Sequence, residues 1–357
     1  MSVGILGLGT YVPPHVRTNE WWSPAVVADW QDRFANRATQ ADVSASETLT
    51  PAMRQTLASL QQYADDPFRG ARERRVMADD MLAAEMEAHA AREAIEQAGI
   101  GVDEIDVILS QTPVPDQLMV NGACVTHRLL ELPRRCIALA TQGACNGLAL
   151  HLSLAQALIE SGQARNVLSV HSSAITRVHG PAEPHSAWWG DGAAAAVIGR
   201  VREGRGILSA VHNADGTNCN ALVLGVPGRR WFELGEITTH SLDREHTRHM
   251  IRTLIERAGA TVTDALGKAE VDRQRVDFYA PHQCTAWFAH ATCAYAGLDR
   301  AQTLNTFPSF ANMNSVNVPF VLAMGAREGM IRDDSIVTTF SGGLGETWSS
   351  IVMRWGR

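Results

Sequence analysis

The chain has few cysteines, and no two of them are spaced as a pair. Six stand at irregular intervals with no Cys-x-x-Cys among them, so neither a tetrahedral zinc site nor a disulfide framework is laid out. They read as reduced thiols, the usual state in a cytoplasm. Also missing is any apolar run of about 20 residues, the length a helix needs to span a bilayer. The opening Met-Ser-Val-Gly-Ile-Leu lacks the basic start of a secretory signal, so the expected location is cytoplasmic. Positive charge is in deficit too. Lys and Arg number 31 against 38 Asp and Glu, a net charge of −7, which is the opposite of the basic face that grips nucleic acid. This overall sign still allows an acidic protein to dock on a local arginine patch.

What is present is apolar material, arranged in layers. Of 357 residues 45% are hydrophobic, enough for a large enzyme of two domains. Runs such as Val107–Ser110, Val167–Val170 and Ala194–Ile198 alternate with helical patterns, which points to an α/β layered fold. One pattern occurs twice. Ala91–Gly99 leads through an acidic turn to Ile105–Leu109, and Ile251–Gly259 leads to Val276–Tyr279. A helix closing on Ala-Gly before a strand that opens hydrophobic-Asp, once in each part, predicts two related halves, 1–200 and 201–357. A region at about 20–66 breaks the pattern. Its helical stretches, Ala25–Phe34 and Pro51–Leu60, flank a polar linker, Gln40–Glu47. It is a lid, a docking surface or a packing addition, and Trp21, Trp22 and Trp30 are core anchors or part of a substrate vestibule.

Cys145 lies in Gln142-Gly143-Ala144-Cys145-Asn146-Gly147, where the apolar run Cys136–Ala140 gives way to a helix, Leu148–Glu160, apolar nearly all round. At the N-terminus of a buried helix, backbone N–H groups and the dipole favour a thiolate over a thiol. For a lone cysteine, a buried structural role is the commoner case. Two later segments overturn that. One is Ala280-Pro281-His282-Gln283-Cys284-Thr285. The other is Phe310–Pro319, with Asn at 312, 314 and 317, running into an apolar helix. A Cys, a His far downstream and an Asn about 30 residues further on is the order of a known catalytic set.

With these residues the chain resembles the β-ketoacyl-acyl-carrier-protein synthase III group of the thiolase superfamily. Four more segments carry the likeness in order: Ile5–Pro14 with Arg17-Thr18-Asn19, Gly70-Ala71-Arg72-Glu73-Arg74-Arg75, Trp189-Gly190-Asp191-Gly192-Ala193, and the glycine loop Ser341–Trp348. Apart from the insertion, the resemblance spans the chain. It implies an α/β thiolase-like fold, two duplicated βαβαβ-type halves in an αβαβα arrangement, and a homodimer. It also implies that Cys145 takes the acyl group of a thioester, with the N–H groups of Cys145 and Gly343 as oxyanion hole. A malonyl-type thioester would then lose carbon dioxide, and His282 and Asn312 would hold the enolate oxygen while its carbon attacks. No metal or redox cofactor is implied. The spacing to Pro319 selects Asn312 over Asn314 and Asn317.

Departures from the family pattern suggest a specialised-metabolite enzyme. Thr285 stands where the family often has an Asn that reaches the pantetheine arm. Ala64 and Phe68 replace a Trp and an Arg used for coenzyme A, with Arg69 one residue displaced, and the glycine loop carries Gly345-Glu346 in addition. Delivery of the acyl group on an acyl carrier protein gains weight over coenzyme A. Met119 matches the position from which relatives push a side chain across the dimer to limit acyl length; an interface core contact is the equal alternative. Cys124, Cys136, Cys219, Cys284 and Cys293 are assigned no role. Two other readings stay open: transfer from Cys145 to a hydroxyl or amine with His282 as general base, and a non-catalytic partner subunit. A chalcone-synthase-like enzyme shares the triad logic, but the Gly70–Arg75 and Gly190–Ala193 segments fit the synthase III group better.

Overall fold

Two five-stranded mixed sheets with one strand order form the frame of the computed structural model, which describes residues 2–41 and 49–357. Most of the linker Gln40–Glu47 lies outside the described residues. The first sheet contains β1 (Ser2–Tyr11), β2 (Val107–Gln111), β3 (Ile137–Thr141), β4 (Val167–Ser173) and β5 (Gly192–Val201), in spatial order β1-β5-β4-β2-β3. The second contains β6 (Gly206–Ala214), β7 (Phe278–Pro281), β8 (Gln302–Thr303), β9 (Ile336–Gly343) and β10 (Thr347–Arg354), in order β6-β10-β9-β7-β8. In each, the first, fifth and fourth strands pair antiparallel and the rest parallel. The expected fold class, with a duplicated topology, is borne out.

The helices that matter for the site are α1 (Pro24–Ala41), α2 (Pro51–Gln61), α3 (Ala83–Ala98), α4 (Gly147–Glu160), α5 (Arg244–Lys268) and α6 (Asn317–Arg327). Helix α3 covers the outer face of the first sheet, α5 that of the second, and α4 and α6 lie between the sheets. Helix α4 turns most of its surface into that middle layer, which is why it is so apolar, and leaves Leu150 and Ala157 exposed along one side. Its Leu148, Leu152 and Ile159 share one cluster with Val318 and Val321 of α6, Leu109 of the first sheet and Phe278 of the second. Close approach of β1 to α3 depends on glycine, since a Cβ on Gly9 would lie 2.0 Å from the Ala90 carbonyl oxygen. No helix of the described residues is long and apolar enough to cross a membrane.

Helix α3 ends where the sequence predicts, on Gly99 in the left-handed region at φ +70°. Helix α5 does not stop at Ala258-Gly259. It runs on to Lys268, and Gly259 sits mid-helix where a Cβ would lie 2.4 Å from the Tyr295 ring. That glycine makes room for an aromatic side chain and is no terminator.

Both helical stretches of the insertion form. Thr50 caps α2, its hydroxyl accepting from Met53 N–H, and Pro51 occupies the first turn. Trp22 and Trp30 are core anchors, packed with Ala187 and Phe68. Their indoles donate to Ser186 Oγ (3.1 Å) and to the Ala182 carbonyl (2.8 Å). Trp21 is half exposed beneath the Arg17 guanidinium. The family-like segments bind the same region together. Buried Arg74 donates to Asn19 Oδ1 and to the carbonyls of Arg17 and Ala187. Asp191 accepts from Met77 N–H and from Thr176.

Within α3, Glu87 is 2% exposed and accepts from the hydroxyls of Ser110, Thr126 and Ser172 at 2.6 to 3.1 Å. Burial pushes its pKa up to about 7 despite those bonds. Because the unfolded chain ionises first, near pH 4.5, stability falls as pH rises from there to about 7 and is level above it. The loss is on the order of 3 kcal/mol. Glu87→Gln removes the charge, so by calorimetry its melting temperature should exceed that of the parent at pH 8 and approach it at pH 4.5.

Candidate active site

After β3 the chain turns through Gln142 and Gly143 into one 3-10 turn, Ala144–Asn146, ahead of α4. Cys145, 7% exposed, lies in that turn. Ala144 before it holds φ +47°, a left-handed conformation uncommon for residues with a Cβ. Side-chain amides hold the turn in place. Gly143 N–H donates to Gln111 Oε1 (2.7 Å), and Ala144 N–H donates to Gln142 Oε1 (3.2 Å). On the other side, Asn146 Oδ1 accepts from Ser341 (2.6 Å) and Nδ2 donates to Ser349 (2.9 Å), tying the turn to the second sheet. Gly343 completes the junction. A Cβ there would lie 2.5 Å from the Gly143 carbonyl oxygen, so only glycine lets β9 come this close.

His282 follows β7, its N–H bonded to the Phe340 carbonyl (2.7 Å), and the residue is 5% exposed. Asn312 is held by its backbone, donating to the Trp188 carbonyl (2.9 Å) and accepting from Gly190 N–H (3.1 Å). Ala311 and Asn314 on either side are also left-handed, at φ +53° and +54°. Asn312 Oδ1 accepts from Asn314 N–H (2.9 Å) and from Asn317 Nδ2 (2.7 Å). Asn317 Nδ2 is also 3.2 Å from His282 Nδ1, and Asn314 Oδ1 is 3.7 Å from Cys145 Sγ. Cys145, Asn312 and His282 are thus joined through Asn314 and Asn317.

The structure therefore brings Cys145, His282, Asn312 and Gly343 together. Thr285, three residues beyond His282, has a buried Oγ beside the Cys284 thiol. Arg69 and Met119 are placed differently. Arg69 Nη1 donates to the carbonyls of Tyr63 (2.6 Å) and Ala64 (3.3 Å), and its guanidinium lies over the Phe34 ring. Met119 is 98% exposed, on the turn before the helix Gly122–Leu129. Glu346 of the glycine loop reaches to α5, where Arg257 forms an ion pair with it, and Asn218 Nδ2 donates to it at 3.0 Å. Sequence reasoning missed Gln111, Asn146, Asn314 and Asn317 as site residues. Their signal is the density of side-chain amides around the motifs.

The resting charge of the site differs from the expectation of a thiolate. Burial pushes the Cys145 thiol up to about 12, and the neighbouring Cys284 acts in the same direction. Both causes disfavour a sulfur anion, so the direction is toward a resting thiol. Burial alone pushes His282 down to about 4, leaving it neutral at pH 7.

Two family models match the chain: 3-oxoacyl-[acyl-carrier-protein] synthase III over residues 140–216, and the C-terminal part of 3-oxoacyl-[acyl-carrier-protein] synthase III over 266–355. The first covers Cys145 and the second His282, Asn312 and Gly343. Over its whole length the chain is 28% identical to β-ketoacyl-[acyl-carrier-protein] synthase III of Bacillus pumilus, all of which it covers. The solved structure of the β-ketoacyl-[acyl-carrier-protein] synthase III of Thermus thermophilus is similar at a TM-score of 0.78, with 26% identity and 99% of both chains covered. The priming β-ketosynthase of the R1128 polyketide biosynthetic pathway shares the fold at a TM-score of 0.79 and 22% identity, with 99% of this chain and 96% of that one covered.

A buried, uncharged thiol has a distinct signature. Alkylation of Cys145 by iodoacetamide, followed by intact mass with Cys145→Ser as background, should accelerate by about tenfold per pH unit between pH 7 and 10 without levelling. A plateau below pH 9 would indicate a resting thiolate.

Proposed function

We propose that this condensing acyltransferase of the 3-oxoacyl-[acyl-carrier-protein] synthase III type joins an acyl group held on Cys145 to a malonyl-type thioester. The observation that carries this reading is the meeting of Cys145, His282 and Asn312 in one closed site, linked through Asn314 and Asn317.

In the first half-reaction the Cys145 sulfur attacks the thioester carbonyl, the donor's thiol leaves with the proton that Cys145 gives up, and the N–H groups of Cys145 and Gly343 receive the transient oxyanion. In the second, the malonyl carboxylate departs as carbon dioxide and its electron pair forms an enolate, whose oxygen His282 and Asn312 hold. The enolate carbon attacks acyl-Cys145, and collapse of the tetrahedral adduct expels the sulfur, which takes up a proton. The product is a β-ketoacyl thioester.

Arg69, spent on its own backbone, leaves the coenzyme A position without the family's arginine, which favours an acyl carrier protein as donor and a place in specialised metabolism. Thr285, buried three residues beyond His282, is assigned to the pantetheine arm. The halves are taken as 1–200 and 201–357, and the enzyme as cytoplasmic. A homodimer is supported by β3, an edge strand whose Ile137 and Leu139 are 53% and 44% exposed. Pairing two such edges would bury both residues and carry Met119 toward the other subunit. Leu139→Lys should then turn a dimer into a monomer on sedimentation.

Intact mass spectrometry tests the chemistry. Acyl thioesters should load the parent and leave Cys145→Ala unmodified. His282→Ala and Asn312→Ala should still load, but discharge of the adduct by a malonyl thioester, with release of carbon dioxide, should fall by about 10²- to 10³-fold. An adduct that survives malonyl but clears with an amine or alcohol would overturn condensation.

A further inference from the structure

We propose that Asn317 sets the proton arrangement of the site, fixing His282 and Asn312 as two hydrogen-bond donors aimed at the substrate oxygen with no acceptor beside them. The inference rests on the condensation reading and names a positioning residue for it.

Backbone donors fix how each amide lies. Met313 N–H donates to one terminal atom of Asn317 at 3.1 Å, and a backbone N–H can only donate, so that atom is Oδ1 and the other is Nδ2. Asn314 N–H identifies Asn312 Oδ1 in the same way. The two protons of Asn317 Nδ2 then face two acceptors, Asn312 Oδ1 at 2.7 Å and His282 Nδ1 at 3.2 Å. A ring nitrogen that accepts carries no proton, so the neutral imidazole bears its proton on Nε2. Asn312 has both lone pairs of Oδ1 engaged and presents Nδ2. Among the described residues, neither His282 Nε2 nor Asn312 Nδ2 has a protein partner.

Two N–H groups without a lone pair between them suit an oxygen that gains negative charge, as the enolate oxygen does. They do not suit removal of a proton from a hydroxyl or amine, which needs a free lone pair on Nε2. The same amide that organises the site thus disfavours His282 as general base. Asn317 is fully buried at the first position of α6, held by the helix and by Met313.

Asn317→Asp keeps the shape and replaces the donor with an acceptor. In ¹⁵N-histidine spectra, with His282 assigned through its loss in His282→Gln, the parent should show Nδ1 bare and Nε2 protonated. Asn317→Asp should show Nδ1 protonated, with the ring titrating nearer neutral pH than in the parent. The variant should acylate Cys145 as the parent does, while malonyl discharge falls about 10²-fold. Asn317→Ser, whose hydroxyl still donates, should keep the parent tautomer and recover about tenfold of that loss. An unchanged tautomer in Asn317→Asp, or discharge within about threefold of the parent by a variant that loads normally, would overturn the assignment. Should the parent itself load but release no carbon dioxide, the condensation reading fails, and the spectra still decide the tautomer.

Discussion

Exclusion of water from the seam between two sheets is the constraint on which the rest of this structure depends. A polar group sealed there without a partner costs about 1–3 kcal/mol, and an unpaired charge costs more. Side-chain amides meet both conditions, since they are neutral and both donate and accept. Gln111, Asn146, Asn312, Asn314 and Asn317 are all buried at the site and together bond the nucleophile turn, the second sheet and the His282 ring. The same exclusion keeps Cys145 and His282 uncharged at rest. One physical condition thus sets the geometry of the site and its protonation.

That condition explains what the sequence could disclose. Cys145, His282 and Asn312 were legible because the chemistry demands those residue types in that order, each with a recognisable flank. The sheets were legible because strands buried on both faces read as short apolar runs. The roles of Asn314 and Asn317 were not. Three asparagines within six residues are equivalent on paper, and only their partners in space distinguish them. The surroundings of Arg69 were equally hidden. Its one-residue displacement could be read from the chain, but not that its guanidinium would bond the carbonyls of Tyr63 and Ala64.

The thiolate expectation shows the same limit in energetic form. A helix N-terminus can be read from a few neighbouring residues, whereas desolvation sums over everything packed around the sulfur. Gly259 is the converse case. Its local signal is a helix stop, and a tertiary contact with Tyr295 overrides it. Strain tells of the fold in yet another way. Ala144, Ala311 and Asn314 each hold a left-handed backbone costing on the order of 1–3 kcal/mol. The surrounding layers must over-determine those conformations, and the apolar middle layer of α4 and α6 supplies that rigidity.

Helices α1 and α2 bear on the site from outside it. Trp22 and Trp30 fasten α1 to residues 182–187; the next residue, Trp188, donates its indole N–H to the Pro67 carbonyl and receives the backbone N–H of Asn312 on its own carbonyl. No member of the catalytic set comes from either helix. Their influence on the reaction is funnelled through one peptide carbonyl, that of Trp188, so that a change in how the two helices pack would reach Asn312 as a displacement of its backbone and would leave the identity of every reacting group as it is.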